Sequence, residues 1–329
     1  MNDAMFAYSL DNKRYHTFNY HVKTTYSHKV AKVSLNAGFT CPNRDGTKGH
    51  GGCIFCSSSG SGDFAGDVRD SLEVQFQRVS SMMRRKWPDC KYIAYFQANS
   101  NTYGTLEQVK ACIEPFLSYG KERSIKANSL FNKQDIVGIA LATRADCLSD
   151  EIIEYLVEIS QVTDLWVELG LQTIHGQTAR FINRGHTYQE FQEGLQRLRA
   201  HGINVCVHIM NGLPYETIDM MLETAKTVGQ LDIQALKIHM LYIVEHTKLA
   251  TIYRTDPFPI LSRQDYISLV AKQLTLIPPH VIIERLTGDA KKDDLIAPLW
   301  SIKKVTILND IDKEMKEKDL YQGCRFKNK

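Results

Sequence analysis

The chain has 329 residues, 43% of them hydrophobic and 23% charged, with a formal net charge of +3. This is ordinary globular composition, enough for one large domain or two small ones, and the charge permits an anionic partner without demanding one. No stretch is apolar enough to span a bilayer, and "MNDAMFAYSLDNKRYHTFNYHVK" lacks the apolar core of a signal peptide, so a soluble cytoplasmic protein is expected.

Residues 1–27 form an extension rich in Tyr, His and Lys. Within it, "RYHTFNYHVKTTYSHK" interleaves aromatic and basic residues, a pattern that suits stacking on unpaired RNA bases and equally suits a packed cap. Strands are predicted at 29–35, 91–97, 135–143, 164–172, 203–210 and 235–242, each apolar on both faces, as in a covered parallel sheet. Helical patterns fall between them. Ser149 caps one at its N-terminus; Thr187 and Glu190 form a capping box ahead of Phe191, Leu195 and Leu198. Ile267, Val270, Leu274 and Ile277 recur at helical spacing. Segment 119–134 is a polar excursion, "VIIERL" (281–286) is a seventh strand candidate, and 291–329 reads as a charged, helical C-terminal extension. "MRRKW" and "RFKNK" add positive charge without specificity.

Strands alternating with helices indicate an α/β fold, either a barrel or an open doubly wound sheet. No glycine-rich dinucleotide fingerprint follows the first strand, and no phosphate-binding GxxxxGK[ST] occurs.

The densest chemistry lies just past the first strand, in "CPNRDGTKGHGGCIFC" (41–56). Eight cysteines in a cytosolic chain are not read as disulfides. Cys90, Cys112, Cys147, Cys206 and Cys324 are scattered and read as small buried hydrophobes. Cys41, Cys53 and Cys56 are clustered. Structural zinc would need four ligands, with His50 as the fourth. A [4Fe–4S] cluster held by three thiolates instead leaves one iron open for a ligand. Glycines around the cysteines let backbone amides approach an anionic centre, and Phe55 can shield it from water.

An aromatic directly before the last cysteine, on the loop after strand one, resembles the radical S-adenosylmethionine (SAM) superfamily. The family's CxxxCxxC spacing is stretched here to eleven residues in the first gap. "LATRADCL", "WVELGLQTIHGQTARFINRGHT" and "INVCVHIMNGLP" closely resemble the radical SAM domain of the Elongator catalytic subunit, which works on wobble uridine in tRNA. "NAGFTCPNRDGTKGHGGCIFCS" resembles the stand-alone bacterial YtqA/YhcC (MnmL-like) type.

The resemblance implies a partial (β/α)6 TIM-like barrel over 28–290, flanked by the N-terminal and C-terminal extensions. It implies a [4Fe–4S] cluster on Cys41, Cys53 and Cys56, with SAM bound at the open iron and cleaved reductively to a 5′-deoxyadenosyl radical. Gln97 and Asn99 occupy the slot of the usual Gly-Gly-Glu-like element, so that contact falls to neutral hydrogen bonds or backbone. Thr143 and Arg144 end strand three at the mouth; Arg144 suits the SAM carboxylate, or else pairs with Asp146. Glu168, inside an apolar strand, must be paired or meet a ligand; the SAM ribose fits, with Gln172 on the same face. Asn211, Gly212 and Pro214 lie in a turn that is either an adenine shelf or an ordinary connection. His208 and His239 face the cavity or the core, and Arg285 and Asp289 are possible contacts on the substrate side.

The MnmL-like resemblance further implies tRNA as substrate, with the carboxymethylaminomethyl group of wobble uridine converted to aminomethyl. An electron donor such as flavodoxin or ferredoxin is then a partner. A radical SAM enzyme for a protein or small metabolite, and a zinc-containing RNA-binding protein, are the alternatives.

Overall fold

The structure, a computed structural model, describes residues 6, 8, 13–57, 60, 64–117, 132 and 135–327. The polar excursion at 119–134 therefore lies, apart from residue 132, outside the described residues. Among those described, nine strands form: β1 (Val30–Leu35), β2 (Lys91–Phe96), β3 (Ile136–Thr143), β4 (Asp164–Gln172), β5 (Asn204–Asn211), β6 (Ala235–Met240), β7 (Ile243–Val244), β8 (Ile282–Arg285) and β9 (Leu295–Ala297). All but β7 and β9 join one parallel sheet in the order β1-β2-β3-β4-β5-β6-β8. The six-stranded expectation is met and extended, because the "VIIERL" segment adds a seventh strand beside β6.

Ten helices accompany the described strands: α1 (Phe18–Tyr26), α2 (Leu72–Lys86), α3 (Leu106–Ile113), α4 (Asp150–Ser160), α5 (Gly176–Phe181), α6 (Tyr188–Ala200), α7 (Ile218–Val228), α8 (Lys248–Thr255), α9 (Arg263–Thr275) and α10 (Lys304–Glu317). Their starts follow local chemistry. The Ser149 hydroxyl accepts from the Ile152 amide at the head of α4, and Thr187 with Glu190 closes a reciprocal capping box on α6. The outward side chains of the strands, such as Val33, Phe96, Leu141, Val167, Val207 and Ile238, pack with the helices in the main core.

The inward side chains form a second core at the bottom of the barrel, made of Val30, Ile93, Ala140, Trp166, Cys206, Ala235 and Ile282. Helix α1 closes this end: Val22 is buried in the cluster, the His21 ring meets Trp166 edge-on at 5.8 Å, and the Tyr26 hydroxyl donates to Asp164. The preceding segment pairs with β8, where the Ile283 amide donates to the His16 carbonyl at 2.7 Å. The aromatic and basic N-terminal stretch is thus a packed cap, in which every ring but that of His28 is at least half-buried.

One layer higher the apolar reading of the strands fails. Lys32, Tyr95, Glu168, Lys237 and Glu284 all meet there in a buried polar network.

The cap carries a pH dependence. Burial holds the His16 imidazole at about 4, partly offset by its hydrogen bond to the His280 carbonyl. The unfolded chain takes up this proton near 6.5 and the folded one does not, so stability is complete above 6.5 and falls as pH drops toward 4. Urea midpoints measured across that window should fall less steeply for His16→Phe, which keeps a ring against Tyr8 and removes the titration.

Candidate active site

The long first gap between cysteines folds back on itself. Asp45 and His50 pair across a small hairpin, and the Gly52 amide donates to the Asn43 carbonyl at 2.8 Å. That bond closes residues 44–51 into an excursion, so the path from Cys41 to Cys53 is in effect Pro42, Asn43 and Gly52. The stretched motif acquires the reach of the short one. Cys56 follows through a turn in which its amide donates to the Cys53 carbonyl at 3.0 Å. The whole segment is pinned from both sides: the Ile54 amide donates to the Ile182 carbonyl, and the Ile54 carbonyl accepts from Leu249.

Buried Asn43 is the centre post of this loop. Its Nδ2 donates to the Asn183 carbonyl and lies 3.8 Å from Cys53 Sγ. A Cβ on Gly49 or on Gly185, the latter with φ +76°, would sit 2.4 or 2.5 Å from Asn43 Oδ1, so both positions require glycine.

Cys41, Cys53 and Cys56 line one cavity of about 290 Å³ at the C-terminal ends of the strands. All eight cysteines are free; Cys90, Cys147 and Cys206 are buried and do not line the cavity. Cys53 accepts a hydrogen bond from Cys56 and faces Arg144 and Arg184, which together hold its thiol below the ordinary value. Donating that bond, and burial, push Cys56 well above it. Among the described residues no three His, Cys, Asp or Glu side chains converge tightly enough for a single metal ion. A tetrahedral zinc needs sulfurs about 3.8 Å apart, from bonds of ~2.3 Å, whereas a cubane takes each thiolate on a different iron. The proposed fourth zinc ligand also points elsewhere: His50 is exposed, with its ring over Gly46.

Two guanidinium groups stand behind the thiols. Arg144 is buried and bidentate to Asp146 (2.9 and 2.8 Å), and it donates to the carbonyls of Arg184 (2.7 Å) and Gly185 (3.0 Å). Four of its five N–H groups are spent, so it stands as an organiser of the 184–185 loop, with one Nη1 N–H unspent among the described residues. Arg184 is 1% exposed, forms no ion pair, and its Nη2 has no hydrogen-bond partner among the described residues. Burial lowers its guanidinium to about 10. His186, beside it, buries two ring nitrogens without partners among the described residues, and burial holds its imidazole at about 3.

The cavity floor is the polar network. Glu168, 1% exposed, accepts from Lys32 (2.7 Å), Tyr95 (2.6 Å) and His208 (2.9 Å) and pairs with Lys237. Glu284 pairs with Lys32 (2.6 Å) and Lys237 (3.3 Å). Burial alone pushes the Glu168 carboxyl up; Lys237 and then Lys32 more than offset it and hold it well below 4.5. The requirement that this carboxylate be paired is met by lysines from β1 and β6, with one lone-pair direction on Oε1 unclaimed.

Gln97, Asn99, Thr143, Arg144, Glu168 and Gln172 all line the cavity. Gln172 does so from the left-handed region (φ +61°), at a register shift between β4 and β5. The Thr143 hydroxyl is engaged by Thr102 at 2.6 Å. Asn211, Gly212 and Pro214 are not among the residues that line it, although Met210 and Leu241 beside them are. Strand alternation sends Met210 inward and Asn211 outward, where its amide pairs with that of Gln273 (2.7 and 2.8 Å). Gly212 instead makes a left-handed turn (φ +83°). His208 and His239 both line the cavity, their ring centroids 5.0 Å apart. Arg285 and Asp289 line the β8 side, 3.1 Å from each other, with Asp289 also paired to Lys304. Lys32, Tyr95, Lys237 and Arg184 were missed. For the two lysines the signal was present, a charge at an inward position of an apolar strand.

A family model described as the radical SAM superfamily matches residues 41–228, and one for the radical SAM C-terminal domain matches 233–317. The chain belongs to the radical SAM superfamily. It is 48% identical to YtqA of Bacillus subtilis over 99% of this chain and 97% of that one. It is 23% identical to a tRNA uridine(34) acetyltransferase of Methanocaldococcus jannaschii over 79% of this chain and 52% of the other. The solved structure of archaeal Elp3 from Methanocaldococcus infernus superposes with a TM-score of 0.67 at 19% identity, over 90% of this chain and 64% of that one, and shares the fold. No helix among the described residues is long and apolar enough to cross a membrane.

The radical SAM family implies a [4Fe–4S] cluster and SAM, and the residues of this cavity fit that pair. Three free thiols face one space, and a buried guanidinium beside them has N–H groups unspent and no paired carboxylate among the described residues. An isolated buried cation is costly, and an anionic centre at the thiols answers it.

Proposed function

We propose that this radical SAM enzyme acts on the C5 side chain of wobble uridine in tRNA, converting carboxymethylaminomethyl to aminomethyl. The observation that carries the reading is the return of Cys53 and Cys56 alongside Cys41 in one strand-end cavity over a charge-balanced floor. When bound, the cluster and SAM supply reductive cleavage and hydrogen abstraction, here from the carbon between amine and carboxylate; loss of a second electron from that carbon to the oxidised cluster and hydrolysis of the imine would then break its N–C bond and release the carboxymethyl group as glyoxylate. The three cysteines would hold three irons and leave the fourth to SAM. Gln97, Asn99 and Gln172, together with the remaining N–H of Arg144, offer neutral and cationic donors to SAM along the wall. Phe55, Ile209, Met210, Met240 and Leu241 line the same space and keep water from it. Glu168, Lys32 and Lys237 hold each other in fixed ionised forms, so the floor exchanges no proton with the reaction near neutral pH.

Support for a tRNA uridine comes from the relative that acts at uridine 34; this chain spans about half of that relative's length. Cytoplasmic flavodoxin or ferredoxin is the proposed electron donor. Nucleosides from total tRNA of a deletion strain test the substrate. Carboxymethylaminomethyluridine should accumulate while aminomethyl derivatives disappear; an unaltered profile refutes the tRNA assignment.

A further inference from the structure

Arg184 lies in the loop between α5 and α6, away from any regular element, yet it is among the most buried side chains of the protein. Its fork is partly used. Nε donates to the His186 carbonyl at 3.0 Å, and Nη1 donates to the carbonyls of Leu171 (2.5 Å) and Thr173 (2.6 Å). Those two carbonyls flank Gln172, the residue held in the left-handed region at the end of β4. Nη2 carries two N–H groups and has no partner among the described residues, although it is out of reach of solvent. Arg144, the neighbouring cation, is neutralised by Asp146; Arg184 has no such carboxylate among the described residues. A full positive charge with spare donors therefore stands at the Cys53 side of the cavity.

We propose that Arg184 is a positioning residue for the metal centre, with Nη2 donating to a sulfur on the Cys53 side and stabilising the reduced cluster over the oxidised one. This rests on the cluster reading above. Reduction adds one negative charge to a buried, sulfur-rich group, and both nearby positive charge and hydrogen bonds to sulfur favour the more negative state. The same guanidinium ties down Gln172, so one residue sets the environment of the cluster and the wall against which SAM would lie. Lysine cannot replace it, because a single ammonium cannot span three carbonyls and still present a donor to sulfur.

The test uses full-length protein labelled with 15N-arginine, loaded with iron and sulfide without oxygen, and reduced with dithionite. Pulsed electron paramagnetic resonance should show a weak 15N coupling to the cluster that is lost in Arg184→Lys. A redox titration of Arg184→Met should give a midpoint shifted to more negative potential. Absence of any arginine coupling in the reduced, fully loaded parent protein overturns the proposal, whatever the variants do. So does a coupling that persists unchanged in Arg184→Lys. A parent protein that takes up no iron and sulfide is a different result, read by metal analysis beforehand, and it removes the cluster reading itself.

Discussion

Cys53→Ala protein, purified without oxygen and reconstituted, should be colourless and should hold far less iron than the about four atoms per chain of the parent. Cys53 is the turning point of the motif: the Gly52–Asn43 bond delivers it beside Cys41, and it faces Arg144 and Arg184. Removing its sulfur leaves two thiolates for a cubane and leaves both guanidinium groups beside an empty position. Any SAM-cleaving activity should fall below detection, a loss of at least a hundredfold. Cys90→Ala is the matched control. Cys90 is buried between α2 and β2, its thiol donating to the Lys91 carbonyl at 3.2 Å, well away from the cavity. That change should cost about 1 kcal/mol of stability and leave iron content and activity intact. Equal iron in the two variants would show that Cys53 is not a ligand.

The second large effect concerns the floor. Lys237→Met leaves Glu168 and Glu284 sharing Lys32 alone, with an uncompensated negative charge in a buried layer. Breaking a buried pair from one side typically costs about 3–5 kcal/mol, and urea denaturation of the apoprotein should show a loss of that order. Adding Glu168→Gln should cost much less than its single-variant value, because charge balance returns with Lys32 and Glu284. The pH dependence has a defined sign. The Glu168 carboxyl is held well below 4.5 in the folded protein, so its contribution is complete above 4.5 and is lost as pH falls. A Lys237→Met loss under 1 kcal/mol would mean that the network is solvated rather than buried.

The strands were legible because each parallel strand is a short run of β-branched and aliphatic residues bounded by polar turns, and the observed limits differ by a residue or two. Helix starts were legible at Ser149 and Thr187, where the cap is encoded within three residues. The floor was half legible. A charge inside an apolar strand must find a partner whether it is a carboxylate or an ammonium, so Lys32 and Lys237 mark the partners of Glu168 in the sequence itself. Strand parity was legible too: with His208 inward, Met210 faces inward and the Asn211 amide turns outward to Gln273. Arg184 was not legible. It sits in an aperiodic loop, and it meets the Leu171 and Thr173 carbonyls at the end of β4, a purely tertiary event. The eleven-residue gap was opaque for the same reason, since only the fold brings Gly52 back to Asn43.

The most direct test is formation of 5′-deoxyadenosine by the parent protein, carrying its iron and sulfide, with SAM and dithionite in the absence of oxygen. The account predicts steady release of 5′-deoxyadenosine and methionine that depends on all three of Cys41, Cys53 and Cys56. Protein that holds four irons yet leaves SAM intact, or that still cleaves it with any one of those cysteines replaced by alanine, would contradict it.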